Sequence, residues 1–79
     1  MIEPLPLPDP DDLRALCVYP MPFGRYKGVA LIDLPEPYVV WWKSQGFPQG
    51  KLGRLLALAY EIKLNGLESL VRASVRGEA

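Results

Sequence analysis

The sequence predicts an α+β fold: a short β-hairpin, about residues 19–31, packed against three to four helices at about 10–17, 36–45, 51–65 and 67–73. Three observations lead there. Leu52, Leu55, Leu56, Ala59 and Ile62 recur at helical spacing, the mark of a long amphipathic helix that serves as the central support. Pro37 stands where the first turn of a helix tolerates proline, and Tyr38, Trp41 and Trp42 follow on one helical face. Between the first two helices, Val18 to Phe23 and Val29 to Leu31 can both be extended, and Gly24 and Gly28 bracket a turn that carries Arg25, Tyr26 and Lys27.

Taken in order, the chain opens with a leader, residues 1–8, in which Pro4, Pro6 and Pro8 alternate with Leu5 and Leu7. Alternate prolines block regular hydrogen bonding and favour an extended, polyproline-like path. The leader reads as a tail or as a strap packing its leucines, with an SH3-type ligand as the other option. Residues 9–79 form a single small domain. Asp9-Pro10-Asp11-Asp12 is a helix start, with Asp9 as cap and the next two acids complementing the dipole. Leu13, Leu16 and Cys17 fall on one face of that helix. In the hairpin, Pro20 and Pro22 restrict pairing to an edge, and the glycines supply backbone angles that other residues resist.

The 36–45 helix is apolar nearly all round, because Val39 and Val40 lie beside and across from its aromatic face. Such a helix is buried, or turns one side to a partner. Gly46 is a natural C-cap. In the long helix Arg54 and Glu61 lie opposite the leucine face, while Lys63 projects onto it. A charge there either reaches past the apolar edge into water or pairs with a carboxylate such as Asp33 or Glu68. Asn65-Gly66 ends the helix, and Leu67, Leu70 and Val71 make the apolar side of the last one.

Composition excludes several chemistries. Seventy-nine residues make one domain with a marginal core, burying on the order of 60% of the unfolded chain's surface. Self-association is a common remedy at this size, so a homo-oligomer is among the expected partnerships. Cys17 is the lone cysteine and histidine is absent, so neither an internal disulfide nor a cysteine- or histidine-built metal site is available. The lack of histidine also removes the usual general base near neutral pH and leaves Cys17 without an activating partner. No metal, cofactor or catalytic residue is expected, and the chain does not read as an enzyme. No apolar run approaches the roughly 20 residues of a membrane helix, and the first residues lack a signal peptide's pattern. A cytoplasmic location is the default expectation.

Net charge is zero but unevenly spread. Glu3, Asp9, Asp11 and Asp12 precede every cation, so a mildly basic body follows an acidic leader. That balance permits contact with nucleic acid without demanding it.

Two motifs fail as chemistry. Gly46-x-x-x-Gly50-Lys51 is one residue short of a phosphate loop, and Leu52 stands where Ser or Thr should hold magnesium. Gly50-Lys51 can still offer one phosphate the free N–H groups of a helix start and a cation. Asp33 and Glu36 could form an acid–base pair, but their spacing is equally that of a polar loop.

The Arg25-Tyr26-Lys27 turn is the best candidate surface: a planar aromatic stacks on a base while flanking cations meet phosphates. The plainer alternative is a hairpin whose Phe23 and Tyr26 face the core and whose cations are simply solvated.

Met21-Pro22-Phe23-Gly24-Arg25-Tyr26-Lys27-Gly28, Leu31-Ile32-Asp33-Leu34-Pro35, Tyr38…Trp41, Gly46-Phe47-Pro48, Gly50-Lys51-Leu52-Gly53 and Glu61-Ile62-Lys63-Leu64-Asn65-Gly66-Leu67 together carry a resemblance. Over about residues 9 to 72 the chain resembles the small bacterial family labelled "putative quorum-sensing-regulated virulence factor", whose function is unknown. The label implies an association with virulence control, not an activity. A partial similarity, over about residues 21 to 42, is to a module at the C-terminus of some DnaQ-like exonucleases. There it accompanies a nuclease domain that brings its own metal-binding carboxylates, which have no counterpart here. That family usually has Lys where this chain has Arg25, and either cation can meet a phosphate.

The leading expectation is therefore a non-enzymatic accessory module that binds nucleic acid weakly through Arg25, Tyr26 and Lys27, with Lys51 and Arg54 as further contacts. The alternative is a protein-interaction or regulatory module, linked to quorum sensing and virulence, that docks an unidentified protein or a second copy through Tyr38, Trp42 and the proline-rich leader. The position of the exposed aromatics separates the two: flanking the cations they favour nucleic acid, and in an uncharged patch they favour protein.

Overall fold

A computed structural model describes residues 10–77. The leader and the Asp9 cap lie outside the described residues. Four helices follow in order: α1 (Pro10–Val18), α2 (Glu36–Gln45), α3 (Gly50–Leu64) and α4 (Glu68–Val75), with a 3-10 turn at Leu31–Asp33. Helix α3 packs against α2, α1 and the 3-10 turn, and α1 also packs against α4. The long helix is thus the support that its leucine spacing predicts. It contributes Leu55, Leu56, Ala59 and Ile62 to a core completed by Leu16, Met21, Leu31, Ile32, Leu34, Val39 and Val71.

The α+β expectation is overturned. Among the described residues there is no strand; one isolated antiparallel bridge, Pro20 to Ala30, is all that forms of the hairpin. The molecule is a small helical bundle. Two physical causes are visible. Of the donors that face the returning chain, Met21 gives its N–H to the Val29 carbonyl at 2.8 Å, but that of Tyr19 is taken by the Ala15 carbonyl of α1 at 2.6 Å, and Pro20 and Pro22 have no N–H for pairing on the other edge. The return strand fails as well. Leu31, Ile32 and Leu34 are all buried, whereas a strand sends successive side chains to opposite faces. A 3-10 turn, closed by Asp33 N–H to the Ala30 carbonyl (2.9 Å) and Leu34 N–H to the Leu31 carbonyl (3.2 Å), sinks all three into one core.

The helix boundaries follow local signals. Pro37 occupies the first turn of α2, whose end is the C-cap Gly46 at φ 85°. Asn65 caps α3, and the N–H of Leu67 then reaches the Ile62 carbonyl at 2.9 Å, which turns the chain into α4.

Candidate functional site

Residues 19–30 form a closed loop whose base is tied by Leu31 N–H to the Tyr19 carbonyl (3.1 Å) and whose middle is tied by Gly28 N–H to the Met21 carbonyl (2.8 Å). Fully buried Met21 anchors it in the core. Its tip is a tight turn, Lys27 N–H to Gly24 carbonyl at 3.2 Å, and Gly24 holds φ 81°, a left-handed conformation open to glycine and strained for other residues. The tip presents Arg25 and Lys27 to solvent. Neither makes an ion pair with a described residue.

Beneath the tip, α2 offers Tyr38, Trp41 and Trp42 at the i, i+3, i+4 spacing that shares one face. The loop lies on that face. Half-buried Tyr26 meets Tyr38 at 4.6 Å between ring centroids, and Phe23 meets Trp42 edge-on at 6.1 Å. Tyr38 runs nearly parallel to Trp41, at 10° and 6.3 Å, and Trp41 meets Trp42 at 5.1 Å. The Arg25 guanidinium stands 5.6 Å from the Tyr26 ring centre, within cation–π range. Trp41 is 50% and Phe23 46% exposed. One continuous aromatic surface therefore runs from the loop cations to the outer side of α2.

This arrangement joins two sets of residues that the sequence kept apart. Tyr26, expected on a nucleic-acid surface, packs on Tyr38, expected on a protein-docking one. Tyr38 and Trp42 are largely covered, and the Trp42 indole Nε1 is buried with no hydrogen-bond acceptor among the described residues. The rings left open are Phe23, which the plainer hairpin reading turned toward the core, and Trp41, which the sequence placed on the aromatic helical face without choosing it as the contact. No local sequence signal selects them, because which ring stays open depends on where the loop lands on α2.

Lys51 and Arg54 sit elsewhere. Lys51 stands 5.7 Å from the Tyr19 ring centre, at the base of the loop. Arg54 is paired with Asp12 of α1 at 3.0 Å. Lys63 is the charge on the leucine face, and its partners are now defined. Its ammonium donates to the Ile32 carbonyl at 2.8 Å and lies 3.6 Å from Glu68, with its side chain only 6% exposed. Of the two carboxylates the sequence offered, Asp33 goes instead to Arg72.

A shallow cleft of about 200 Å³ lies among α1, the 3-10 turn and α4, lined by Cys17, Ile32, Asp33, Arg72, Val75 and Arg76. Its carboxylate, Asp33, is engaged by Arg72, so the cleft gathers no free acid–base pair. Among the described residues no three Cys, Asp or Glu side chains converge as a metal site would require. No described helix is long and apolar enough to cross a membrane.

The comparisons with known proteins add to this geometry. Over 53 residues the chain is 53% identical to the protein described as "Uncharacterized protein YpeB" of Escherichia coli (strain K12), a match that covers 66% of this chain and 74% of that one. The same values hold for the YpeB of Escherichia coli O157:H7. No solved structure matches the chain significantly. The matches support the family resemblance and not the partial one to DnaQ-like exonucleases. A family model covers residues 9–73, which takes in the loop, the aromatic face and most of the helical bundle. The chain belongs to the family described as "putative quorum-sensing-regulated virulence factor".

Proposed function

We propose that the chain is a non-enzymatic accessory module that binds nucleic acid weakly through Arg25, Tyr26 and Lys27. One observation carries the reading: exposed Phe23 shares the loop with Arg25 and Lys27, and Tyr26, under the Arg25 guanidinium, joins that loop to the aromatic face of α2 that bears exposed Trp41. Cations without carboxylate partners meet phosphates, and adjoining ring faces meet bases. Arg54, already paired with Asp12, contributes little to such contact.

A second reading, a protein-interaction or regulatory module linked to quorum sensing and virulence, is supported by Val40, 45% exposed beside Trp41. Two neighbouring apolar side chains in water are what a protein partner would cover.

Fluorescence anisotropy of labelled oligonucleotides at low and moderate salt separates these readings. The expected result is binding that weakens with salt and is lost in a folded Arg25→Ala/Lys27→Ala variant. Absence of binding by the native chain at low salt would overturn the nucleic-acid reading and leave the protein-partner one.

A further inference from the structure

The aromatic surface narrows the ligand. We infer that the site takes single-stranded nucleic acid, with Phe23 and Trp41 as stacking platforms for two unpaired bases and Arg25 and Lys27 as the phosphate contacts. This rests on the nucleic-acid reading above and goes beyond it by fixing strandedness and the groups that decide it.

Each exposed group limits what can bind it. Phosphate contacts alone do not discriminate between one strand and two. Ring faces do, because a base in a duplex has both of its faces covered by neighbours, whereas an unpaired base is free to lie on an aromatic side chain. Here two large rings are half exposed within one surface, at 46% for Phe23 and 50% for Trp41. Both lie against Trp42, at 6.1 and 5.1 Å from its ring. Laid end to end those legs place Phe23 and Trp41 no more than about 11 Å apart, a span of two to three nucleotides at about 3.4 Å or more along one strand.

Each platform is braced by a neighbouring ring. Trp41 is braced by Tyr38, nearly parallel at 10°, and by Trp42, nearly perpendicular at 73°. Phe23 follows Pro22, whose ring fixes φ at that step of the backbone, and meets Trp42 at 64° between ring planes. Rings already fixed lose little conformational freedom on binding. Charge complements the strand: Arg25 and Lys27 lie within four residues of Phe23, on the same loop. Phe23 and Trp41 offer ring surface, and stacking on a ring tolerates sequence because every base has a flat face.

Both tryptophans of the chain, Trp41 and Trp42, lie in this surface, so intrinsic emission reports directly on stacking. Trp42→Phe keeps the ring contacts, removes the unpartnered indole donor and leaves Trp41 as the single tryptophan fluorophore. Titration of that variant with dT and dA homopolymers of eight to twelve nucleotides, and with a duplex of equal length, tests the inference. Quenching is expected with the single strands and not with the duplex. For two phosphate contacts, log affinity should fall against log salt with a slope of about −1.4. Trp41→Ala and Phe23→Ser should each weaken single-strand binding by roughly tenfold, from the worth of one stacked base. These two variants are read by anisotropy of labelled strands, since Trp41→Ala beside Trp42→Phe leaves no tryptophan, and far-ultraviolet dichroism and the urea midpoint establish that each is folded.

Equal binding of duplex and single strand without quenching, still lost in Arg25→Ala/Lys27→Ala, would overturn the stacking inference while leaving nucleic-acid binding intact. No binding of either form at low salt would overturn both and assign the face to a protein partner.

Discussion

Gly53 has no room for a methyl group. A Cβ there would stand 1.5 Å from the Pro48 carbonyl oxygen and 2.6 Å from its carbon, both backbone atoms that cannot rotate away. Glycine in α3 therefore serves the close approach of the α2–α3 turn, not a special backbone angle. Gly53→Ala should raise helix propensity by about 1 kcal/mol, yet lose about 1–3 kcal/mol to overlap. Net destabilisation, read as a lower urea midpoint, is the expected outcome; a stabilised variant would mean that the Pro48 turn is free to move. Lys63 makes the opposite case, a cation kept in an apolar place for its bonds. Lys63→Met preserves the stem but strips the Ile32 carbonyl of its close donor, leaving Arg72 at 3.5 Å. The expected cost is about 1.5–3 kcal/mol, the worth of a charged hydrogen bond. Glu68→Gln, at a third-exposed carboxylate 3.6 Å from Lys63, should cost less than about 1 kcal/mol. Equal effects of the two variants would assign Lys63 to the ion pair instead of the carbonyl.

Among the elements, the loop of residues 19–30 behaves as a lid fixed at three points: Met21 in the core, Tyr26 on Tyr38 and Phe23 on Trp42. Its curvature depends on glycine at the two positions that bracket the cations. At Gly28, φ is 89° and nothing lies within 4 Å of the place a methyl group would take, so substitution there costs backbone strain alone. Gly28→Ala should lose about 1–2 kcal/mol and should loosen the ring contacts, seen as a weaker near-ultraviolet dichroism signal. An unchanged spectrum and midpoint would show that the loop tolerates the strain. The same loop marks the limit of what the sequence made legible. Helices were readable because Pro37, Gly46, Asn65-Gly66 and the leucine spacing act locally, within a turn or two. The hairpin was not, since two prolines and two glycines suit a turn-rich loop as well as an edge strand. Leu31, read as the end of the return strand, instead opens a 3-10 turn that sinks it with Ile32 and Leu34 into the core. Arg25, Tyr26 and Lys27 were legible as a candidate surface from composition and spacing. Phe23 and Trp41 were not, because which ring stays open depends on where the loop lands on α2.

At the scale of the whole molecule the question is whether the basic body or one site attracts an anion. Eight of the nine cations fall into two groups by their surroundings. Arg14, Arg54, Lys63 and Arg72 are tied to Asp11, Asp12, Glu68 and Asp33. Arg25, Lys43 and Lys51 stand over tyrosine rings, and Lys27 projects from the tip of the loop. General attraction by net charge falls off over a Debye length of about 8–10 Å in salt and depends little on which cation is removed. Local contact depends on it entirely. Two double variants that lower the net charge by the same two units therefore separate the mechanisms. Arg25→Ala/Lys27→Ala removes the loop pair, and Lys51→Ala/Arg54→Ala removes a pair at the loop base and the α1 face. With a local site, the first should weaken oligonucleotide binding by tenfold or more, from two lost charged contacts. The second should change it by less than about threefold and cost stability only through the Asp12 pair, within about 1 kcal/mol. Equal losses in an anisotropy titration at moderate salt would mean that the body's charge as a whole does the binding, with the aromatic loop a structural lid and nothing more.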